Sequence, residues 1–257
     1  MEFQAMPRYQ MRRNAVSKLL KDDMRRRKGR GGVNPNCILE IGYGAGDIFS
    51  LYQKLGLRAE GFDSSETAYQ YAIGHSQAYG ALLHRRMPKP EKRFDYVAAC
   101  EVLEHIKDDV SALRQWKAYL KDSGKMIVSV PAHQSRWGEN DIYSGHYRRY
   151  ERRELIQKFA EAGMRVEKIY TYDFPACLLL DVMRDKSRKK KLSGQRKSRE
   201  EYTKNSGVER DFHPLVLAMS HPALWLPACK LGELFYRTDF GSAYILLASQ
   251  RRIIGKA

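Results

Sequence analysis

The chain has 257 residues, of which 43% are hydrophobic and 11% aromatic, so it can form one large α/β domain and is not a disordered chain. Its formal charge is +16, and residues 8–30 (net +8) and 184–204 (net +7) carry nearly all of it. Such segments attract the phosphates of nucleic acid or of anionic lipid, or are simply solvated. Four scattered cysteines and the absence of a signal core predict a cytoplasmic protein without disulfides or metal, peripheral at a membrane if the basic segments dock there.

Helical and strand-like segments alternate along most of the chain. A helical segment at residues 8–28 is followed by five strand-like runs, which are CILEI, LRAEGFD, ALLH, RFDYVAACEVLEHI and GKMIVSVPA. Helical patterns separate most of these runs, and the last of them covers residues 107–122. This alternation predicts an α/β fold with a parallel, doubly wound sheet and right-handed crossovers.

The last third of the chain departs from this alternation. The runs MRVEKIYTYDF and GSAYILLASQR predict two more strands, which would complete a seven-stranded sheet as an antiparallel hairpin at its edge. A basic and apolar insertion at about 175–238 separates them. We therefore divide the chain into an N-terminal basic helix with its linker, residues 1–36, and one domain, residues 37–257.

The stretch LEIGYGAG, Leu39–Gly46, joins the first strand to the next helix through a glycine turn. Glycines let a ligand approach the backbone closely, and the N-terminus of the following helix favours anionic groups. Ligands of such sheets bind at the carboxyl ends of the strands. The alternative is a tight turn without a ligand. The spacing is G-x-G-x-G rather than the G-x-G-x-x-G of dinucleotide-binding proteins, which argues against an NAD-linked enzyme.

A carboxylate ends the second strand, at Asp63 in GFDSS. Such a group can accept hydrogen bonds from both hydroxyls of a ribose. The alternative is a helix N-cap, although Ser64 or Ser65 can take that role.

The chain resembles the class I S-adenosylmethionine-dependent methyltransferases, particularly the ubiquinone-biosynthesis branch. Four stretches carry the resemblance, which are LEIGYGAG, GFDSS, FDYVAACEVLEHI and SGKMIVSVP. The resemblance covers Cys37 to about Ala132 closely, and DFGSAYILLASQRR looks like the seventh strand of that family. It implies a Rossmann-like fold and S-adenosyl-L-methionine as the cofactor.

The resemblance also implies which residues contact the cofactor. These are Glu40, Gly42, Tyr43, Gly44, Gly46, Asp63, Ser64, Met87, Cys100 and Glu101. The glycine turn would follow the methionine part, organised by Glu40, and Asp63 would bind the ribose. Residues 85–87 would flank the adenine, where many relatives have an acidic residue that this chain lacks. His105 either packs against the domain or faces the site, and we expect packing.

The segment after the fifth strand, SVPAHQSRWGENDIYSGHYRRYERREL, covers the acceptor pocket in this fold. Methyl transfer to a phenol or amine removes a proton, so a base is useful. The candidate catalytic residues are His146, His133 and Tyr147, with Asp141 as an orienter, and the candidate substrate-binding residues are Trp137, Tyr143, Arg148 and Arg149. The two arginines either clamp an anionic acceptor or pin the segment to the domain.

The sequence thus predicts a methyltransferase that acts on a small-molecule acceptor, most often through oxygen, with nitrogen as the other attacking atom. One alternative is methylation of an RNA or peptide docked by the basic segments. Another is a non-catalytic, cofactor-binding module attached to a membrane or to nucleic acid.

Overall fold

Seven strands form one mixed sheet in the computed structural model, which describes residues 7–29, 31–89, 91, 93–192 and 222–251. The strands are β1 (Cys37–Ile41), β2 (Arg58–Phe62), β3 (Leu82–His84), β4 (Phe94–Cys100), β5 (Leu120–Pro131), β6 (Met164–Tyr172) and β7 (Ala243–Gln250). Their order is β3-β2-β1-β4-β5-β7-β6, and only β7 runs antiparallel to its neighbours. The predicted doubly wound sheet and its antiparallel edge hairpin are confirmed.

Eight helices within the described ranges surround this sheet. They are α1 (Pro7–Gly29), α2 (Phe49–Lys54), α3 (Glu66–Ala78), α4 (Asp109–Lys117), α5 (Glu139–Ser144), α6 (Arg152–Glu161), α7 (Cys177–Leu192) and α8 (Pro222–Glu233). The helix predicted at 107–122 is shorter in the structure, because the backbone N–H of Phe94 bonds to the carbonyl of Tyr119 and draws the chain into β5 at Leu120. No helix in these ranges is both long and apolar enough to cross a bilayer.

The central strands are buried on both faces, as is typical of parallel sheets covered by helices. In β4 every residue from Phe94 to Ala99 is buried. Two apolar clusters result, one on each side of the sheet. At an order of 25 cal/mol per Å² of apolar surface, this burial is the main term that stabilises the fold.

The N-terminal helix α1 packs on the sheet with Val16, Leu19 and Leu20 fully buried. Asp23 at its far end accepts hydrogen bonds from the hydroxyl of Tyr96 (2.8 Å) and the ammonium of Lys125 (2.6 Å). Several of its basic side chains therefore face the domain, and residues 8–30 expose less cationic surface than their charge suggests. Of the second basic segment, residues 193–204 lie outside the described residues, and the rest ends α7.

Between β5 and α6 the chain crosses the carboxyl edge of the sheet, and we call residues 132–150 the lid. The lid contains α5, which ends at Gly145 in the left-handed region (φ 76°). Tyr150 closes it, because its backbone N–H bonds to the carbonyl of Pro131 (3.0 Å) and its ring is fully buried. The segment SGHYRRY is thus held at both ends at the edge where β4 and β5 finish.

Candidate active site

The glycine turn after β1 has the conformation that its sequence predicts. Gly42, Gly44 and Gly46 have φ values of 71°, 53° and 79°, which favour glycine. A Cβ on Gly42 would collide with Val102, so a side chain is excluded there. Tyr43 is buried against Phe49, with ring centroids 5.8 Å apart, which leaves only its backbone at the loop.

Asp63 ties the end of β2 to this turn. Its Oδ2 accepts a hydrogen bond from the N–H of Gly44 (2.9 Å), and its Oδ1 accepts one from the N–H of Ser65 (2.9 Å). Ser65 caps α3 by accepting from the N–H of Ala68 (3.3 Å), so the N-cap alternative for Asp63 does not apply. Burial raises the pKa of Asp63, and the two N–H groups oppose that rise. Ser64 is exposed beside it.

Two other predicted cofactor residues have different surroundings. Glu40 is buried, and its described hydrogen bond comes from the hydroxyl of Tyr52 (2.5 Å) on α2 rather than from the glycine turn. Burial raises the pKa of Glu40 to about 7, although this bond and Arg12 oppose the change. Met87 is half-buried and packs on the apolar cluster that contains Leu39. The adenine position predicted for Met87 stays a prediction.

The exit of β4 places Cys100 and Glu101 at the same edge. Glu101 has a φ of 58°, and its Oε1 accepts hydrogen bonds from the hydroxyls of Ser129 (2.9 Å) and Tyr172 (3.0 Å). Burial alone would raise the pKa of Glu101, but the arginines at positions 12 and 8 hold it below its ordinary value. Glu101 is therefore an anion, and the guanidinium of Arg12 is a cation close to it.

Arg12, on α1, is not one of the site residues that the sequence predicted. Its guanidinium lies over the ring of Tyr9, 5.5 Å from the centroid, and has no hydrogen bond or ion pair with another described residue. Burial lowers the pKa of Arg12, yet Tyr172 and Glu101 raise it overall, so the group is charged. A half-buried, charged guanidinium without a hydrogen bond or ion pair among the described residues suits an anionic ligand.

In the lid, His146 and Asp141 form a buried pair. The Nδ1 of His146 lies 2.7 Å from Oδ1 of Asp141, while Oδ2 of Asp141 accepts a hydrogen bond from Nε of Arg149 (2.8 Å). Burial would raise the pKa of Asp141, but these two partners lower it, so the carboxylate is ionised. Nδ1 of His146 therefore donates, and Nε2 is the acceptor in the neutral ring.

Two residues from the segment after β4 face this histidine. Oε1 of Glu104 lies 3.8 Å from Nε2 of His146, and the ring of His105 meets that of His146 edge-on at 4.8 Å. Both carboxyl oxygens of Glu104 are buried without a hydrogen-bond partner among the described residues. Burial, and then Glu101, raise the pKa of Glu104, whereas burial and His146 lower the pKa of His105 to about 3.

These three residues also offer metal ligands. One ligand atom each from Glu104, His105 and His146 lie within 4.8 Å of one another. Imidazole and carboxylate together suit a divalent transition metal. The sequence predicted no metal, and this cluster is where one can bind.

The remaining predicted residues of the lid lie apart from this cluster. His133 faces Tyr244 at 5.5 Å and Glu151 at 3.6 Å, and none of its described contacts reaches His146. Tyr147 is exposed, although its backbone N–H bonds to the carbonyl of Glu104 (2.8 Å). Nε2 of His133 is buried without a hydrogen-bond partner among the described residues, and the catalytic roles of His133 and Tyr147 stay predictions.

The two arginines of SGHYRRY have protein partners. Arg148 bonds to Asp109 and to the carbonyl of Lys107 (2.8 Å). Arg149 is buried and reaches Asp141 and the carbonyl of Ala132 (3.3 Å). These contacts are those expected if the arginines pin the lid rather than clamp an acceptor.

Trp137 and Tyr143 belong to the part of the lid that faces α7. Trp137 lines a cavity of about 340 Å³ between the lid and α7, and Tyr143 lies under the guanidinium of Arg188, 3.9 Å from the ring centroid. The cavity also borders Arg149, which separates it from Asp141. Both aromatic residues are thus placed where the lid meets the insertion.

Sequence reasoning missed Arg12 and Glu104, and for His105 it favoured packing over a position that faces the site. Glu104 and His105 carry a signal that could have been used, because two polar residues directly follow a buried strand in CEVLEH. Arg12 carries none, since it is one of ten basic residues between positions 8 and 30.

Comparisons with known proteins identify the family and the fold of this chain. Residues 9–169 match the family model described as a methyltransferase domain. Ubiquinone biosynthesis O-methyltransferases from Rhodopseudomonas palustris (strain BisB18) and Bradyrhizobium sp. (strain ORS 278) are 31% and 32% identical over 121 residues. Each alignment covers 43% of this chain and 48% of the relative, so the chain spans about half the length of the curated relatives it matches.

Solved structures share the fold at low identity. A sarcosine dimethylglycine methyltransferase of Galdieria sulphuraria, described as putative, has a TM-score of 0.55 at 13% identity, covering 92% of this chain and 85% of that one. A methyltransferase of Bacillus halodurans, likewise described as putative, has a TM-score of 0.53 at 14% identity and coverages of 90% and 99%. The [4+2]-cyclase SpnF scores 0.57 at 16% identity, with coverages of 92% and 80%, so the fold alone does not determine the reaction. The family model spans more than half of the chain and includes the glycine turn, Asp63 and Glu104, and the chain therefore belongs to the methyltransferase domain family.

Proposed function

We propose that this protein is an S-adenosylmethionine-dependent methyltransferase that acts on a hydroxyl group of a small-molecule acceptor. The observation that carries the proposal is the buried Asp141–His146 pair, whose Nε2 faces the unpaired carboxyl group of Glu104. A positioned base beside a polar recess suits an acceptor that loses a proton. The curated relatives, named as O-methyltransferases, support oxygen as the attacked atom.

The residues present fit the cofactor. Gly42 and its neighbours leave the backbone open to close approach, and Asp63 keeps lone pairs free for ribose hydroxyls. Arg12 supplies a half-buried cation for the carboxylate of the methionine part, next to Glu101 for its ammonium group. When bound, the cofactor supplies an electrophilic methyl carbon on a sulfonium whose thioether is the leaving group.

The chain supplies proton transfer, orientation and exclusion of water. His146 accepts the acceptor's hydroxyl proton at Nε2, and the oxygen becomes the nucleophile. Asp141 holds the ring through Nδ1–H and stabilises the imidazolium that forms. Glu104 offers two oxygens for a second polar group of the acceptor. The lid, pinned through Arg148 and Arg149, keeps solvent from the pair.

A divalent metal ion held by Glu104, His105 and His146 is the alternative use of this cluster. Bound there, it would lower the pKa of the acceptor hydroxyl directly, without a histidine base. Turnover that disappears on chelation and returns with added metal would assign the cluster to a metal ion.

The two other functions have less support. In α1, Arg8 is held by Asp173 (3.0 Å) and Arg27 by Asp23 (2.8 Å), which reduces the basic surface that an RNA or peptide substrate would use. A non-catalytic module has no need for a buried Asp–His pair beside an unpaired glutamate.

The test compares His146→Ala with Asp63→Ala. We expect His146→Ala to reduce turnover by about a hundredfold or more and to leave cofactor affinity unchanged. Asp63→Ala should instead weaken cofactor binding, since each unmade hydrogen bond of a buried ribose costs about 1–3 kcal/mol.

Calorimetry with S-adenosylhomocysteine and turnover against a panel of phenols and catechols measure the two effects. Full turnover in His146→Ala would remove the base role, and unchanged affinity in Asp63→Ala would remove the ribose assignment.

A further inference from the structure

The insertion between β6 and β7 exposes several large apolar side chains. Six of them lie on α7, on α8 or in the segment that follows α8, and we call them the docking face: Leu178, Val182, Leu226, Leu231, Leu234 and Phe240. Leu234 is the most exposed at 75%, and Phe240 is 55% exposed. We propose that the docking face binds the surface of an anionic lipid bilayer.

A residue just before α7 contacts the C-terminal end of α8 and the segment after it. Phe174, just before α7, has ring contacts with Phe235 at 4.7 Å and with Phe240 at 5.4 Å. A Cβ on Gly232 in α8 would lie 3.2 Å from the carbonyl oxygen of Phe174. The start of α7 and the end of α8 thus meet, and their exposed apolar residues belong to one region of the surface.

Each helix has one apolar side that the core does not cover. In α8, Trp225 and Cys229 are buried against the domain, whereas Leu226 and Leu231 point to solvent. In α7, Leu178 and Val182 are one turn apart and both exposed. Helices with this division lie in the plane of a membrane interface.

Cations border these apolar residues. Lys186 follows Val182 on α7, and Lys230 and Arg237 flank Leu231 and Leu234; all three cations are exposed. Within the described part of the chain none of the three has a salt bridge. The sequence of α7 also ends in a basic run, RKKK at 188–191. Basic residues next to an interfacial apolar face attract anionic lipid.

Four acidic residues among the described part of this region are held by partners within the protein. These pairs are Asp181 with Arg8 (3.5 Å), Asp185 with the N–H of Asn140 (3.1 Å), Glu233 with Lys18 (3.2 Å) and Asp239 with Arg152 (3.0 Å). The charge left to face solvent is therefore positive, which complements an anionic bilayer and not a neutral one.

A bilayer fits these observations better than nucleic acid. Phosphates need only the cations, and five of the six residues of the docking face are aliphatic and offer no stacking surface to bases, whereas a membrane interface takes up leucine, phenylalanine and lysine. The cavity between the lid and α7 is lined by Leu178 and Val182, so its opening lies beside the docking face. The proposal concerns binding alone and stands or falls independently of methyl transfer.

Flotation of the full chain with lipid vesicles tests the proposal. We expect binding to vesicles of phosphatidylcholine with phosphatidylglycerol, weaker binding to phosphatidylcholine alone, and weaker binding as salt rises. The double variant Leu226→Ser/Leu234→Ser should bind at least about tenfold more weakly. Lys230→Glu/Arg237→Glu should also weaken binding, and only to the anionic vesicles.

Matched controls carry the same changes elsewhere. Leu82→Ser/Ile156→Ser alters exposed apolar residues of β3 and α6, and Lys54→Glu/Arg58→Glu alters exposed cations near β2. Both controls should bind like the parent protein, and thermal unfolding checks that every variant is folded.

Three results would overturn the proposal. They are no binding of the parent protein to anionic vesicles at low salt, equal losses in the control variants, and binding to RNA without binding to vesicles. A concentration-dependent dimer that the leucine variant abolishes would assign the face to a second copy of the chain instead.

Discussion

The cofactor side and the acceptor side of the candidate site are built from different materials. At the cofactor side, left-handed glycines and backbone N–H groups do most of the shaping, and Asp63 is held by the N–H groups of Gly44 and Ser65. At the acceptor side, charged side chains are buried against one another, as with Asp141, His146 and Arg149.

This difference shows how each side depends on the rest of the protein. A glycine turn is determined over a few residues, because backbone conformation is a local property. A buried charge needs its partners in exact positions, which the packing of the whole lid sets, and leaving it unpaired is costly. The acceptor side should therefore be the more sensitive to single substitutions.

The largest effect on stability should come from Asp141→Ala. The change leaves the buried guanidinium of Arg149 without its carboxylate, so we expect the free energy of unfolding to fall by about 3–5 kcal/mol. Denaturant unfolding measures this loss. Asp122→Ala, at an exposed position, is the control and should change stability by no more than about 0.5 kcal/mol. Equal effects in the two variants would contradict the contrast between the two sides.

The cofactor side also contains a buried ionisable side chain, that of Glu40. Burial raises its pKa to about 7, so the folded state keeps a proton that the unfolded state loses near its ordinary value of 4.5. The stability it contributes is complete below pH 4.5 and is lost as the pH rises towards 7, with a slope of up to about 1.4 kcal/mol per pH unit.

We expect Glu40→Gln to remove this slope, whereas Glu91→Gln, at an exposed position, should keep it. Unfolding curves between pH 4.5 and 7.5 measure the difference. An unchanged slope in Glu40→Gln would show that Glu40 is ionised in the folded protein.

A smaller effect should follow Gly42→Ala, which tests whether the turn depends on backbone alone. Gly42 and Gly80 both have positive φ, 71° and 66°, but only at Gly42 would a Cβ collide with Val102. We expect Gly42→Ala to weaken cofactor binding by about tenfold, from strain of roughly 1–3 kcal/mol. Gly80→Ala should bind the cofactor normally, and equal affinities of the two variants would show that the turn tolerates a side chain.

The smallest effect should come from Arg148→Ala. Arg148 is 23% exposed and pins the lid through Asp109, so we expect a loss of about 1 kcal/mol in stability and no change in the acceptor's KM. Arg153→Ala, at an exposed arginine five residues further along the chain, serves as the control. A raised KM with unchanged stability would instead make Arg148 an acceptor ligand.

The sequence alone determined the fold, the glycine turn and the position of Asp63 at the end of β2. Alternation of strands and helices, with glycines at the end of β1 and Asp63 at the end of β2, is a local signal, because strand faces and turns follow short-range periodicity. The Asp141–His146 pair could also be anticipated, since its members are five residues apart in the lid.

Tertiary structure alone decided what surrounds that pair. Glu104 and His105 come from the segment after β4, and Arg12 comes from a helix that precedes the whole sheet. Their meeting depends on strand order and helix packing, which no short stretch encodes. Burial also distinguishes the two histidines, because His146 lies 2.7 Å from the buried carboxylate of Asp141, whereas His133 faces Tyr244 and the exposed carboxylate of Glu151.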